Sequence, residues 1–150
     1  MVDKFEKFSF SISEIYRYWH KIASDEMERY GLKGPYAVYF TTMYRYSEGI
    51  TAVSLGELCS KDKADVSRAI SLLEKNGLVE REGTNPKGYR ALIKLTEKGK
   101  QIAEHINEKV STAVLLAGKG LSQEQSENFY YALDMISSNL KVLSEQGLSV

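Results

Sequence analysis

Between residues 62 and 78 apolar side chains recur every three or four positions: Val66, Ala69, Ile70, Leu73 and, at the end, Leu78. The positions between them hold Lys63, Ala64, Ser67, Arg68, Ser71 and Lys75. That period predicts an amphipathic helix with one face buried and the other open. Asp62 stands where a carboxylate can cap the first turn, and Asn76 and Gly77 stop the helix because both tolerate the left-handed conformation. A shorter helix is expected just before it, from Ser54 to about Ser60, with Ser54 and Glu57 at the spacing of a reciprocal cap. Residues 78–82 and 89–95 then read as strands around the turn formers Gly83, Thr84, Asn85, Pro86, Lys87 and Gly88. Residues 54–96 therefore predict a short helix, a turn, a longer helix and a hairpin with a basic tip. That order is a winged helix-turn-helix.

The remaining pattern is helical. Residues 11–29 predict a first helix, with Ser11 and Glu14 at capping-box spacing. It carries two apolar stripes: Ile12, Ile15, Trp19 and Ile22 form one, and Tyr16, His20, Ala23, Met27 and Tyr30 the other. A turn at 31–35 leads to a second helix over 36–47. After the hairpin, Thr96 caps a long helix through Ile102, Ile106, Val110 and Val114, which Gly118, Lys119 and Gly120 break. Ser122 and Gln125 open a last helix with Phe129, Leu133, Ile136, Leu140 and Leu143 in one stripe. Helices apolar on more than one side need more than one partner, and a two-fold dimer supplies it. The expected fold is mostly α with a small β-hairpin wing, the winged helix-turn-helix lobe being joined to N- and C-terminal dimerisation helices. A single domain is expected over 1–150, divided into a dimerisation region (1–30 and 101–150), a linker helix (31–53) and a DNA-binding lobe (54–100).

Composition narrows the function. At 150 residues and 43% hydrophobic, the chain can bury one ordinary core. It has no apolar run long enough to span a bilayer, and Lys4, Glu6 and Lys7 break up any leader, so a cytoplasmic location without a membrane partner is expected. One cysteine and two histidines leave no internal disulfide and no closed zinc site, and no cofactor or metal is expected. Without a phosphate-binding loop, a nucleophile elbow or a conspicuous carboxylate pair, an enzyme is the weakest reading. Formal net charge is zero, yet residues 61–100 hold ten basic against six acidic side chains, while residues 101–150 hold three against six. Such a dipole offers the lobe to phosphates and turns the remainder away.

The open face of the second lobe helix is the candidate for the major groove. Arg68 has the fork that matches guanine O6 and N7, and Ser67 offers a short hydroxyl. Asp65 could accept from cytosine N4 or hold Arg68 or Lys61 in place. Ala64, Ser71 and Lys75 share the face, and Ser54 and Lys63 lie at helix starts, where they would position the protein on the backbone. At the wing, Lys87 and Arg90 are the principal candidates for the minor groove or phosphates, with Thr84 and Asn85 beside them.

These residues carry a family resemblance. The run "VSLGELCSKDKADVSRAISLLEKNGLVEREGTNPKGYRALIKLTEKGK" resembles the DNA-binding lobe of the multiple antibiotic resistance regulator (MarR) family. "ERYGLKGPYAVYFTTMYRYSEGI" and "GLSQEQSENFYYALDMISSNL" are similar to its linker with second helix and to its last helix. Many members have Asp-x-Arg in the wing; Gly88, Tyr89 and Arg90 stand here, so Arg90 lacks the usual orienting aspartate. The resemblance implies a homodimer that binds double-stranded DNA at a pseudo-palindromic operator, acts as a repressor and is released by a small aromatic or phenolic effector. It implies a pocket between the first helices and the lobe, for which Tyr16, Trp19, His20, Tyr36, Tyr39 and Phe40 are candidates, although core and dimer packing also explain these aromatics. Cys59 is expected to pack, with a redox-responsive regulator as the alternative; a winged module that binds protein instead of DNA is another.

Overall fold

The first helix begins at Val2 rather than at Ser11: α1 spans Val2–Glu28 in the computed structural model, whose described residues are 2–83 and 90–148. Residues 2–10 contain no glycine or proline to stop a helix, and a serine inside an exposed helix costs only about 0.5 kcal/mol relative to alanine. Ser11 therefore sits within the helix and caps nothing. Met27 anchors its far end in the core, and Gly31, at φ 68°, turns the chain so that Leu32 N–H reaches the Met27 carbonyl at 3.1 Å.

The second helix is shorter than its pattern. A single 3-10 turn over Gly34–Tyr36, with Pro35 at its start, precedes α2 (Ala37–Arg45). Gly34 is buried against α1: a Cβ there would lie 2.2 Å from Ser24 Oγ and 3.0 Å from Ser24 Cα.

β1 (Ile50–Thr51) is a strand that no alternation announced, because two residues are too few to alternate. It pairs antiparallel with β3 (Leu92–Leu95), which pairs in turn with β2 (Val79–Glu82), in the order β1-β3-β2. The strands are shorter than the expected 78–82 and 89–95. Between β1 and β2 lie α3 (Ala52–Cys59) and α4 (Lys63–Lys75). The cap of α3 is Thr51, not Ser54: Thr51 Oγ1 accepts from the Ser54 amide at 3.2 Å, and the Thr51 hydroxyl donates to Ser54 Oγ at 3.0 Å. Ser54 thus lies one turn inside. Ser60 closes α3 at φ 52°, and Asp62 caps α4 by accepting from the Asp65 amide at 2.8 Å, as expected. Gly56 permits a tight turn between the two helices, since a Cβ would lie 3.0 Å from the Lys61 carbonyl oxygen and 3.2 Å from Val66 Cγ2.

Asn76 ends α4 at φ −85°, and it is Gly77, at φ 69°, that takes the left-handed position. Thr96 then starts α5 (Glu97–Ala117), accepting from the Gly99 amide at 3.2 Å and donating its hydroxyl to the Gly77 carbonyl at 2.7 Å. Phe40, Met43, Leu55, Ile70, Leu73, Ile93 and Ile106 meet in one core that joins α2, α3, α4, β3 and α5. Each such side chain contributes roughly 1.5–3 kcal/mol of transfer free energy.

The chain divides into two compact units, Met1–Ser111 and Thr112–Val150. In the second, the turn at Gly118 to Gly120 ends α5, and Ser122 and Gln125 form the reciprocal cap of α6 (Gln123–Gln146). No residue of α6 is buried, and its stripe of Phe129, Leu133, Ile136, Leu140 and Leu143 stands exposed. Among the described residues no helix is long and apolar enough to cross a membrane.

Candidate nucleic-acid interface

The outer face of α4 is assembled by its inner one. Val66, Ala69, Ile70 and Leu73 are buried, which fixes the rotation of the helix and leaves Lys63, Ala64, Ser67, Arg68, Ser71 and Lys75 exposed along the opposite side. Spaced by three or four residues, these side chains form a stripe that is polar except for the methyl group of Ala64. Asp65 is half-buried at the edge of that stripe. Its Oδ1 receives the Arg68 guanidinium in an ion pair, and Lys61 is not its partner.

The hairpin stem braces α4 from the side. Arg81 Nε donates to Glu74 Oε2 at 3.3 Å, joining β2 to α4, and Lys94 is paired with Glu82 across the stem. The Glu82 carboxylate, bonded to the ammonium, holds the Lys94 amine above its ordinary range. Arg90 is exposed where the hairpin returns. Thr84, Asn85, Lys87 and Gly88 lie outside the described residues.

Between α3, α4 and the sheet a cavity of about 700 Å³ opens, with Val66, Ile70 and Ile93 as its apolar floor and Lys63, Ser67 and Arg81 among its polar walls. Arg81 is a residue that the sequence pattern did not single out. The available signal was its place in a strand where Val79 points inward, which puts position 81 on the same side of the sheet. A smaller cleft, of about 360 Å³, lies on the other side of α4 and is lined by Lys33, Tyr36, Tyr39, Lys61, Asp65 and Arg68.

The six candidate effector residues do not surround one space. Tyr36 and Tyr39 border the smaller cleft, with ring centroids 6.2 Å apart, whereas Phe40 is fully buried in the core. Tyr16 is exposed and its ring lies 4.1 Å from that of His20. Trp19 borders a crevice of about 10 Å³ with Ile22, Ala37 and Ile106, room for no more than one water. Burial pushes the Tyr39 phenol up to about 12. The period that marked these aromatics as a group also marks core positions, and the core takes Phe40 and the Tyr39 ring.

Cys59 is buried beneath α2, its sulfur 3.4 Å from Thr42 Oγ1 and 3.8 Å from the Val38 carbonyl oxygen. Burial pushes its thiol up, the opposite of what a reactive thiolate requires. Farther away, His105 Nε2 on α5 lies 3.2 Å from Glu26 Oε2 on α1, which Arg29 Nε also approaches at 3.4 Å. This polar group ties α1 to α5 within the first unit.

No protein-family model and no curated protein matches the chain. Solved structures do. A MarR family transcriptional regulator of Listeria monocytogenes, solved with a 26-mer DNA, superimposes with a TM-score of 0.79 at 25% identity, over 91% of this chain and 93% of that one. A MarR transcriptional regulator of Methanosarcina mazei gives 0.76 at 27% identity, over 91% and 92%. The MepR–DNA complex of Staphylococcus aureus shares the fold, with a TM-score of 0.77 at 19% identity over 89% and 97%. These neighbours are transcription regulators, and two of the three were solved on DNA.

Proposed function

We propose that this chain, whose fold is that of the MarR family transcriptional regulators, is a homodimeric, sequence-specific reader of duplex DNA that acts as a repressor. The observation that carries the reading is the exposed stripe of α4, which sets Lys63, Ser67, Arg68, Ser71 and Lys75 on a helix rigidly seated by its apolar face. A helix of about 10–12 Å diameter fills a major groove about 12 Å wide, so such a stripe meets base edges. Arg68 reads guanine, Ser67 and Ser71 contact bases or phosphates, and Lys61, Lys63 and Lys75 hold the backbone, with Arg90 following the minor groove. Ala64 permits close approach, and Ser54 supports the backbone contacts from within α3.

The dimer in this reading is supported by the exposed apolar faces of α1 and α6, where Ile15, Trp19, Leu133 and Leu140 stand uncovered in one chain. A two-fold pair would carry its two α4 helices to half-sites about 10 base pairs apart. A protein seated there blocks other proteins from the same duplex, which is repression in its simplest physical form. Release by a small aromatic or phenolic effector belongs to the reading as well. The cavity of about 700 Å³ beside α4 supports it more directly than the dispersed aromatics do.

Selection of bound duplexes from a random pool tests the core of the reading. Enrichment of a near-palindrome, retained by the dimer and lost on Arg68→Ala, is the expected result. A pool that stays random, with a salt-independent protein partner captured instead, would replace DNA reading with the protein-binding alternative.

A further inference from the structure

The smaller cleft joins two parts of the chain that lie apart in sequence. Lys33 and Tyr36 come from the turn between α1 and α2; Lys61 comes from the turn before α4, and Asp65 and Arg68 from the first turns of α4 itself. Three cations thus face one carboxylate, and that carboxylate already receives Arg68. Neither Lys33 nor Lys61 takes part in an ion pair among the described residues. The lining is therefore net cationic, with two ammonium groups that no described side chain pairs, although the carboxylate of Asp62 also acts on Tyr39.

Lys33 is also held unusually well for an exposed lysine. Leu32 before it is buried, Gly34 after it is packed on Ser24, and Pro35 fixes the backbone next in line. Only the side chain is left to be ordered on binding, which keeps the entropic cost low. Tyr36 and the buried Tyr39 form an aromatic wall behind the charges.

We propose that this cleft is a phosphate subsite for the DNA strand that borders the groove occupied by α4, with Lys33 as a positioning residue outside the helix-turn-helix. The inference rests on the DNA-reading proposal and extends it to a segment that the sequence assigns only to a turn. Arg68 on the rim spans both tasks: its fork faces the bases, while Lys33 and Lys61 clamp the flanking phosphate on the far side of Asp65. A phosphate contact of this kind fixes register and carries no base information. Its removal weakens all duplexes alike.

The test uses the full chain, a selected operator duplex and an unrelated duplex, with affinity measured over a series of salt concentrations. Each protomer that loses one phosphate contact lowers the slope of log K against log salt by roughly 0.9. Lys33→Ala is expected to lower the slope by that amount per protomer and to weaken both duplexes by the same factor. Lys33→Glu is expected to weaken both further. Lys119→Ala, on the turn before α6, is the control for loss of one positive charge and should leave the slope unchanged. A Lys33→Ala protein with the slope and affinity of the Lys119→Ala control overturns the subsite while leaving DNA reading intact. A wild-type protein that binds neither duplex at any salt overturns both.

Discussion

Arg68 donates through Nη2 to Oδ1 of Asp65, one turn earlier on the same helix. The carboxylate takes one guanidinium nitrogen, so it biases the direction of the fork without occupying all five donors. Two substitutions separate these roles. Arg68→Ala should abolish preference for the selected operator while leaving weak general retention, a loss of about 1–3 kcal/mol of discrimination for each guanine read. Asp65→Asn should do the reverse in part: general affinity rises because a negative charge near phosphates is gone, and selectivity falls because the fork turns freely. Gel shifts on matched and mismatched duplexes distinguish them. Unchanged selectivity in Arg68→Ala would remove the residue from the reading face.

Gly99 is where α5 meets the turn after α4. A Cβ there would lie 2.0 Å from the Leu78 carbonyl oxygen and 3.0 Å from its carbon, and neither atom can rotate away. Gly99→Ala should therefore destabilise the protein by about 1–3 kcal/mol, the usual range for forced overpacking. Gly118→Ala, whose nearest atoms lie 3.6 Å or farther away, should be nearly neutral. Urea midpoints of the two variants are the measurement. Equal midpoints would mean that the turn yields more readily than its geometry implies.

The helix starts give a second comparison of stability. Thr51 caps α3 with its side chain, whereas Ser54 supplies its amide to that cap from inside the helix. Thr51→Ala should cost about 1 kcal/mol. Ser54→Ala should cost less, since alanine is the better helix former. A larger loss for Ser54→Ala would return the cap to the position that the sequence pattern favours.

High pH should weaken the fold through two buried acids. Burial raises Cys59 above its ordinary 9.0 and carries Tyr39 from 10.0 to about 12. Both groups hold their protons more tightly when folded, so their stabilising contribution is complete below the ordinary values. It is lost as pH rises past them, because the unfolded chain ionises first. Denaturation midpoints should fall from about pH 9 upward, and Tyr39→Phe should flatten the part of the decline between pH 10 and 12. The same burial predicts that Cys59 reacts with iodoacetamide far more slowly in the native chain than in urea. Rapid native alkylation would reopen a redox role.

The exposed stripe of α6 should be an interface. Leu133→Glu places a charge in the middle of it without disturbing any buried side chain. The expected outcome is a monomer by light scattering, with helical content retained and operator affinity sharply reduced. A dimer unaffected by this change would move the interface elsewhere.

How far the sequence reached depended on how local each signal was. α4 was recoverable because its cap, period and stop all lie within sixteen residues and agree with one another. Ser11 and Ser54 misled for the same reason: a hydroxyl three residues before a carboxylate has the spacing of a cap, yet spacing does not show whether the chain before it is already helical. β1 was invisible because its two residues gain strand character only from pairing, Ile50 opposite Ile93 and Thr51 opposite Leu92. The cleft that contains Lys33 was out of reach as well, since no pattern links residue 33 to residue 68 until the core brings them together. The exposed helix faces show the limit from the other side. Their periodicity is plain in the sequence, but a stripe states only that something must cover it.

Gly56 has the last bearing on how such a reader handles varied targets. With the Lys61 carbonyl and Val66 within 3.0 to 3.2 Å of where its Cβ would be, the turn between α3 and α4 leaves no room for a methyl group, and the two helices pack as one block. Bending inside the block cannot adapt it to a stretched or compressed site. In the proposed dimer, tolerance of half-site spacing resides in joints outside α3 and α4, and those joints, rather than α4 itself, are the place where a change of binding state would be felt.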